Sequence, residues 1–194
     1  MYDVLLIVLA YLIGSIPFSF IVSKIVKAKD LRYHGSKTVG AMNVYRMTKS
    51  IPLTALAGLL DGSKGVIAAL LANYASYPMT LVFLGMAVVI GHCFPIFLKF
   101  KGGRGVAASA GFSLVVYPLA VLVWLIIVGL FTALLKYKYY AIYLANLLTA
   151  IFALIYASPP VSYAIVGILV VISIASYDRL IDTITRRTKH LGLV

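Results

Sequence analysis

The stretch GVAASAGFSLVVYPLAVLVWLIIVGLFTALL, residues 105–135, decides how many times this chain crosses a membrane. As a single helix it would far exceed the ~20 apolar residues that span a bilayer. Proline has no backbone N–H and pushes the preceding residue out of the helical region, so Tyr117-Pro118 divides the stretch. It is read as two spans, a short one from Gly105 to Val116 and a full one from Leu119 to Leu135. Further apolar runs lie at Val4 to Val26, Ile51 to Tyr77, Met79 to Leu98, Tyr139 to Ala157 and Val161 to Tyr177, giving seven in all.

Lysine and arginine test that parity, because they concentrate in cytoplasmic loops. With the N-terminus outside, the first inner loop holds Lys24, Lys27, Lys29, Arg32, Lys37, Arg46 and Lys49, and the second holds Lys99, Lys101 and Arg104. Lys136 and Lys138 fall in the third, and Arg179, Arg186, Arg187 and Lys189 in the tail, so sixteen of the seventeen basic residues lie inside. A six-span reading would place Lys136, Lys138 and the tail outside, on the opposite side from the other basic loops. The expected fold class is therefore an all-α membrane protein, a seven-transmembrane-helix bundle with its N-terminus outside and its C-terminus cytoplasmic. It forms one multi-pass domain over residues 1–194. The first run is not read as a cleaved signal peptide, since the basic cluster follows it and none precedes it.

Composition demands the same solvent. Of 194 residues 63% are hydrophobic and 11% charged, with a mean hydropathy of +1.06; a chain this apolar needs lipid around it. The net charge of +12 would suggest nucleic acid on a soluble surface. Here the basic residues follow topology, and membrane lipids rather than nucleic acid are the expected partners. Cys93 is the one cysteine and forms no intramolecular disulfide. The five acidic residues are scattered with no metal-ligand spacing, so no metal is expected. The exceptional lysine is Lys64, three residues after Asp61 and on the same helix face. The pair sits either inside the protein or at the cytoplasmic interface.

Chemistry-bearing residues cluster on the expected inner side. His34-Gly35-Ser36-Lys37-Thr38-Val39-Gly40-Ala41-Met42-Asn43-Val44-Tyr45-Arg46 combines glycines, hydroxyls and cations. A short helix over Ala41 to Met47 would present free amides at its positive end. The cluster reads as a phosphate cradle, or as a basic loop on anionic headgroups. Further on, Lys101-Gly102-Gly103-Arg104-Gly105 opens directly into the fourth helix, again with the parts of a phosphoryl site. Its spacing differs from the nucleotide-binding loop, so nucleotide use is not implied. His92, shortly before it, is a base, a hydrogen-bond donor or an interior histidine. Gly14-Ser15-Ile16-Pro17 in the first span predicts a kink.

Taken together, these blocks resemble the bacterial PlsY-type acyl-phosphate:glycerol-3-phosphate acyltransferases. The match comprises Gly14 to Pro17, Asp30-Leu31-Arg32, Gly35-Ser36 with Val39-Gly40-Ala41 and Asn43 to Arg46, Leu60-Asp61 with Lys64-Gly65, and Gly91 to Ala107. The resemblance implies a seven-helix membrane enzyme in the prokaryotic inner membrane with its active site facing the cytoplasm. It transfers an acyl group from acyl phosphate to the 1-hydroxyl of glycerol 3-phosphate, giving lysophosphatidic acid and inorganic phosphate. No cofactor, coenzyme A or acyl carrier protein is implied.

By position the resemblance makes Ser36 and Arg46 catalytic, and Gly35 and Gly40 contributors to phosphate binding. Lys101, Gly102, Gly103 and Arg104 form the glycine-rich turn, where the family more often has lysine at the last. Asn43 and His92 complete the expected substrate-binding set. The chain departs from the family pattern at Lys37, Thr38 and Met42, which stand where Gly, Asn and Thr are usual. Its last helix closes on Ser176-Tyr177-Asp178-Arg179-Leu180-Ile181 instead of a His-Arg-x-x-Asn-Ile type motif. The competing readings are a divergent or inactive paralogue with another acceptor, and a transporter of phosphate-bearing solutes. Transport would favour related halves, and no repeat is visible.

Overall fold

A computed structural model describes residues 2–135, 138–178, 180–181 and 184–185. Among the described residues all regular structure is helical: α1 (Tyr2–Ser15), α2 (Phe18–Ile25), α3 (Ala41–Thr48), α4 (Ile51–Leu71), α5 (Thr80–Cys93), α6 (Val106–Val116), α7 (Pro118–Leu134), α8 (Lys138–Tyr156) and α9 (Val161–Ala175). Four segments are long and apolar enough to cross a membrane: Tyr2–Ile25, Ile51–Tyr74, Thr80–Leu98 and Tyr139–Tyr156. Three shorter apolar helices, α6, α7 and α9, complete the set. The helix break falls at Tyr117, as the Tyr117-Pro118 reading required. Lys136, Arg179, Arg186, Arg187 and Lys189, used in the charge argument, lie outside the described residues.

Helix α4 packs chiefly on α6, α1 on α5, α5 on α9, and α7 on α8. The tightest approaches use glycine. A Cβ on Gly65 would overlap the Ala108 carbonyl, and one on Gly111 would overlap the Gly62 carbonyl, so α4 and α6 meet backbone to backbone. Such contacts supply the van der Waals packing that holds helices together where lipid offers no hydrophobic drive. The core itself is apolar, with Leu84, Val88, Phe112, Ile165 and Ile168 buried. The outside is apolar as well: Leu5, Ile126, Leu147 and Ile174 all lie exposed. A soluble protein does not show so much exposed hydrocarbon, whereas a bilayer accepts it.

The first span is broken at Pro17, as the Gly-Ser-Ile-Pro sequence predicts. Carbonyls freed at such a break need partners in a membrane. Gly14 O and Ile16 O find one in the Lys64 ammonium, at 3.2 and 2.9 Å. This answers where Lys64 and Asp61 sit: both are 1% exposed and enclosed by protein.

A smaller cluster of Val22, Leu31, Val44 and Ala57 anchors the 27–50 loop and α3 against α2 and α4. At the start of that loop, Asp30 accepts from Arg32 Nε and Nη2 at 3.1 and 2.8 Å and from the Arg32 backbone N–H at 2.9 Å. Hydrogen bonding from Arg32 is the largest cause holding the Asp30 carboxyl down, from 3.8 to about 2. A depressed carboxylate supports the folded state above its unfolded pKa and withdraws that support as it protonates. Limited proteolysis of the 27–50 loop is therefore expected to be unchanged from pH 7 to about 4 and to accelerate only as pH falls from about 4 toward 2. Asp30→Asn should show the fast digestion already at pH 7.

Candidate functional site

The loop that carries Ser36 is organised by Asn43. This side chain, 1% exposed, points back from the first turn of α3. Its amide donates to the carbonyls of Leu31, His34 and Thr38 at 3.0, 3.1 and 2.9 Å, while its Oδ1 accepts from the Ser36 N–H at 2.9 Å. Gly35 must be glycine here: its φ is +65°, and a Cβ would overlap Asn43 Oδ1. Asn43 and Gly35 thus shape the loop from behind. Ser36 Oγ lies 2.9 Å from Thr38 Oγ1. Lys37, at the usual glycine position, keeps a left-handed φ of 56°.

Helix α3 begins at Gly40 and spans Ala41–Thr48, matching the short helix expected from sequence. Arg46 projects from it, exposed and without a hydrogen bond or ion pair among the described residues. An unpaired guanidinium from the last turn of α3, lining one cavity with Gly40 and Ala41 at the helix start, is equipped to receive an anion.

The glycine-rich turn docks onto this loop. The Val39 N–H donates to Gly102 O at 3.0 Å, and the Gly103 N–H donates to His92 O at 3.0 Å. Neither glycine tolerates a side chain: a Cβ on Gly102 would strike His92 O, and one on Gly103 would strike His92 Nε2 and Val39 O. Arg104 reaches across to the end of α9, donating to Ala175 O at 2.6 Å and pairing with both oxygens of Asp178 at 2.5 and 2.9 Å.

Between these elements opens a cavity of about 500 Å³. Ser36, Thr38, Gly40, Arg46, His92 and Arg104 line its polar end. Trp124, Leu125, Ile142, Ile165 and Leu169 line the remainder, which runs between α6, α7, α8 and α9. The Trp124 indole N–H is satisfied by Asn146 Oδ1 at 2.8 Å, and Asn146 Nδ2 donates to Ser173 Oγ at 2.9 Å. The wall therefore presents mostly hydrocarbon to the cavity.

The predicted residues divide accordingly. Ser36, Arg46, Gly40, Asn43, His92 and Arg104 are brought to one cavity. Gly35, Lys101, Gly102 and Gly103 are not in its lining: Gly35 packs against Asn43 and Gly102 and Gly103 against His92, which do line it, and Lys101 stands exposed with its Nζ 5.6 Å from the centre of the Tyr33 ring. Asp61 also lines the cavity, a position signalled in sequence by its spacing from Lys64 and by the Leu60-Asp61 block of the resemblance, though not as a site residue. Asp178 carried no signal at all. Gly40 offers a clean probe, because its backbone is extended at φ −159° and a Cβ there would meet nothing within 4 Å. Gly40→Ala is expected to fold and melt as the parent does while raising KM for a phosphate substrate several-fold. Equal kinetics would move the ligand away from α3.

Against known proteins, residues 4–187 match the family model described as glycerol-3-phosphate acyltransferase. A glycerol-3-phosphate acyltransferase of Bacillus velezensis is 41% identical over 152 residues, covering 78% of this chain and 76% of that protein. Glycerol-3-phosphate acyltransferase 2 of Bacillus anthracis is 34% identical over 177 residues, covering 91% and 92%. Two crystal structures of PlsY (YgiH), described as an integral membrane glycerol 3-phosphate acyltransferase, are similar in fold at 29% identity. The glycerol 3-phosphate form has a TM-score of 0.83 over 100% of both chains. The lysophosphatidic acid form has 0.82 over 96% and 94%.

Proposed function

This chain belongs to the glycerol-3-phosphate acyltransferase family, and from that premise we propose that it acylates glycerol 3-phosphate at the 1-hydroxyl with acyl phosphate as donor. It is a multi-pass membrane protein and an acyltransferase of phospholipid synthesis. The reading extends to seven spans in one domain over residues 1–194, N-terminus outside and C-terminus cytoplasmic, in the inner membrane of a prokaryote with the cavity's polar end facing the cytoplasm.

One observation carries the chemistry: a single cavity joins a cationic, hydroxyl-bearing end to a hydrocarbon trough. Donor and acceptor each bring a phosphate, and the donor brings an alkyl chain. The trough between α6 and α9 suits the chain, and the polar end suits the phosphates. Acyl phosphate is a mixed anhydride and already activated, so no nucleophile from the protein is required. The acceptor oxygen attacks the acyl carbon, its hydroxyl proton passes to a phosphate oxygen of the donor, the bond from the acyl carbon to the bridging phosphate oxygen breaks, and inorganic phosphate leaves with the ester formed.

Alignment and charge stabilisation are then the enzyme's main contributions. Arg46 grips a phosphate with its unengaged fork. Arg104 retains donors beyond the three hydrogen bonds it makes to Asp178 and Ala175, and Ser36 with the α3 amides orients the acceptor. Asn43 acts by holding the loop.

Purified protein given acyl phosphate and glycerol 3-phosphate should release inorganic phosphate and form lysophosphatidic acid, and acyl coenzyme A should not substitute. Absence of transfer from acyl phosphate, or equal transfer from the thioester, overturns the proposal.

A further inference from the structure

Beneath the cavity lies a buried charged group that the transfer chemistry above does not use. Lys64 Nζ is surrounded by Asp61 Oδ1 at 2.8 Å, Gly14 O at 3.2 Å, Ile16 O at 2.9 Å and His92 Nδ1 at 3.0 Å. Asp61 is held from its other oxygen by the Ser19 hydroxyl at 2.5 Å. A carboxylate and two helix-end carbonyls around one nitrogen keep it an ammonium, and an ammonium can only donate. The ring nitrogen 3.0 Å away therefore cannot donate to it and shares one of its three protons as an acceptor, while Asp61 Oδ1 lies 3.7 Å from Nδ1, beyond hydrogen-bond reach for an N–H there. Nδ1 of His92 then carries a lone pair and the ring proton resides on Nε2. A second ring proton would set two cations 3.0 Å apart.

The far edge of the ring is also fixed. His92 is 7% exposed and lines the cavity. Its carbonyl is tied to the Gly103 N–H, and only the missing side chain at Gly103 leaves Nε2 uncovered. No partner for Nε2 occurs among the described residues.

We propose that the buried Lys64–Asp61 pair is a positioning device that locks His92 as its Nε2–H tautomer, so that His92 meets the substrate as a hydrogen-bond donor and not as a proton acceptor. The inference rests on the acyltransferase reading for the identity of the oxygen it serves, a phosphoryl or acyl oxygen of the donor. The tautomer itself does not depend on that reading. Lys64 and Asp61, each 1% exposed, act through the ring.

Nitrogen NMR of the full-length protein, labelled at histidine in micelles at pH 7, tests the lock directly, with His92→Gln identifying the signal against His34 and His190. The expected spectrum has a bare Nδ1 and a protonated Nε2. A protonated Nδ1 overturns the proposal whatever the enzyme acylates. Lys64→Met alone leaves an unpaired buried carboxylate and is prone to misfold, so the kinetic arm uses Asp61→Asn with Lys64→Met. That pair should let the ring sample both tautomers and lower kcat about 10-fold or more, with KM for glycerol 3-phosphate nearly unchanged. A folded double variant with parental kcat overturns the positioning role. An unlocked ring and no acyl transfer by the parent would instead fail both this inference and the acyltransferase reading, separately.

Discussion

Arg46→Ala is expected to lower acyl transfer by about 10- to 100-fold while leaving the melting temperature where it was. Arg46 is exposed on α3, lines the cavity and holds no other group, so its removal leaves nothing in the protein unpaired. Helix α3 itself is held by buried Val44 and by Asn43, which the substitution does not touch. What disappears is a charge-assisted contact to phosphate, worth about 1.5–3 kcal/mol, and each 1.4 kcal/mol is a factor of ten in rate. Arg46→Lys should recover part of the loss, because charge returns without the planar fork. Initial rates with a matched melting curve check this. A parental rate in Arg46→Ala would remove α3 from the site.

The largest effect on the fold is expected at Gly65. A Cβ there would overlap Ala108 O and sit 2.5 Å from Phe112 N, both main-chain atoms of α6 that have no flexible end to yield. Gly65→Ala gains about 1 kcal/mol of helix propensity. Forcing α4 and α6 apart costs about 1–3 kcal/mol for overpacking, and it also opens the cavity wall that α6 supplies. The variant should melt several degrees lower in detergent and lose activity on heating well before the parent. Gly129→Ala is the control: a Cβ at Gly129 meets nothing within 4 Å, so that variant should be neutral or slightly more stable. Identical behaviour of the two variants would mean that α4 and α6 are not locked through glycine.

Hydrophobic run length and proline made much of the helical frame legible in the sequence. The Tyr117-Pro118 break, the α3 helix and the kink at Pro17 fall where local backbone chemistry demands them. The first inner loop and the glycine turn were legible as phosphate-binding parts because glycine, hydroxyl and cation recur there at close spacing. What sequence did not disclose depends on contacts far apart along the chain. Lys64 serving the carbonyls freed by Pro17, and also His92, requires α1, α4 and α5 to converge. Arg104 pairing with Asp178 joins the α6 start to the α9 end. The same holds for the glycines: Gly40 and Gly103 look alike in a string, yet one faces open space and the other a histidine ring.

The departure at Lys37 has a local account. Its φ of 56° is a left-handed value that glycine adopts without cost. A lysine there accepts about 1 kcal/mol of strain, held in place by the Asn43 network around it. The loop keeps its path with a different residue in it.

The account stands on one phosphate-binding end built jointly by the first inner loop and the glycine turn. Calorimetric titration of glycerol 3-phosphate into the purified protein and into Arg46→Ala, Arg104→Gln and the double variant tests this most directly. The account predicts that each single change weakens binding about tenfold or more, and that the double variant shows no measurable binding. Undiminished binding of glycerol 3-phosphate by the folded double variant would contradict it.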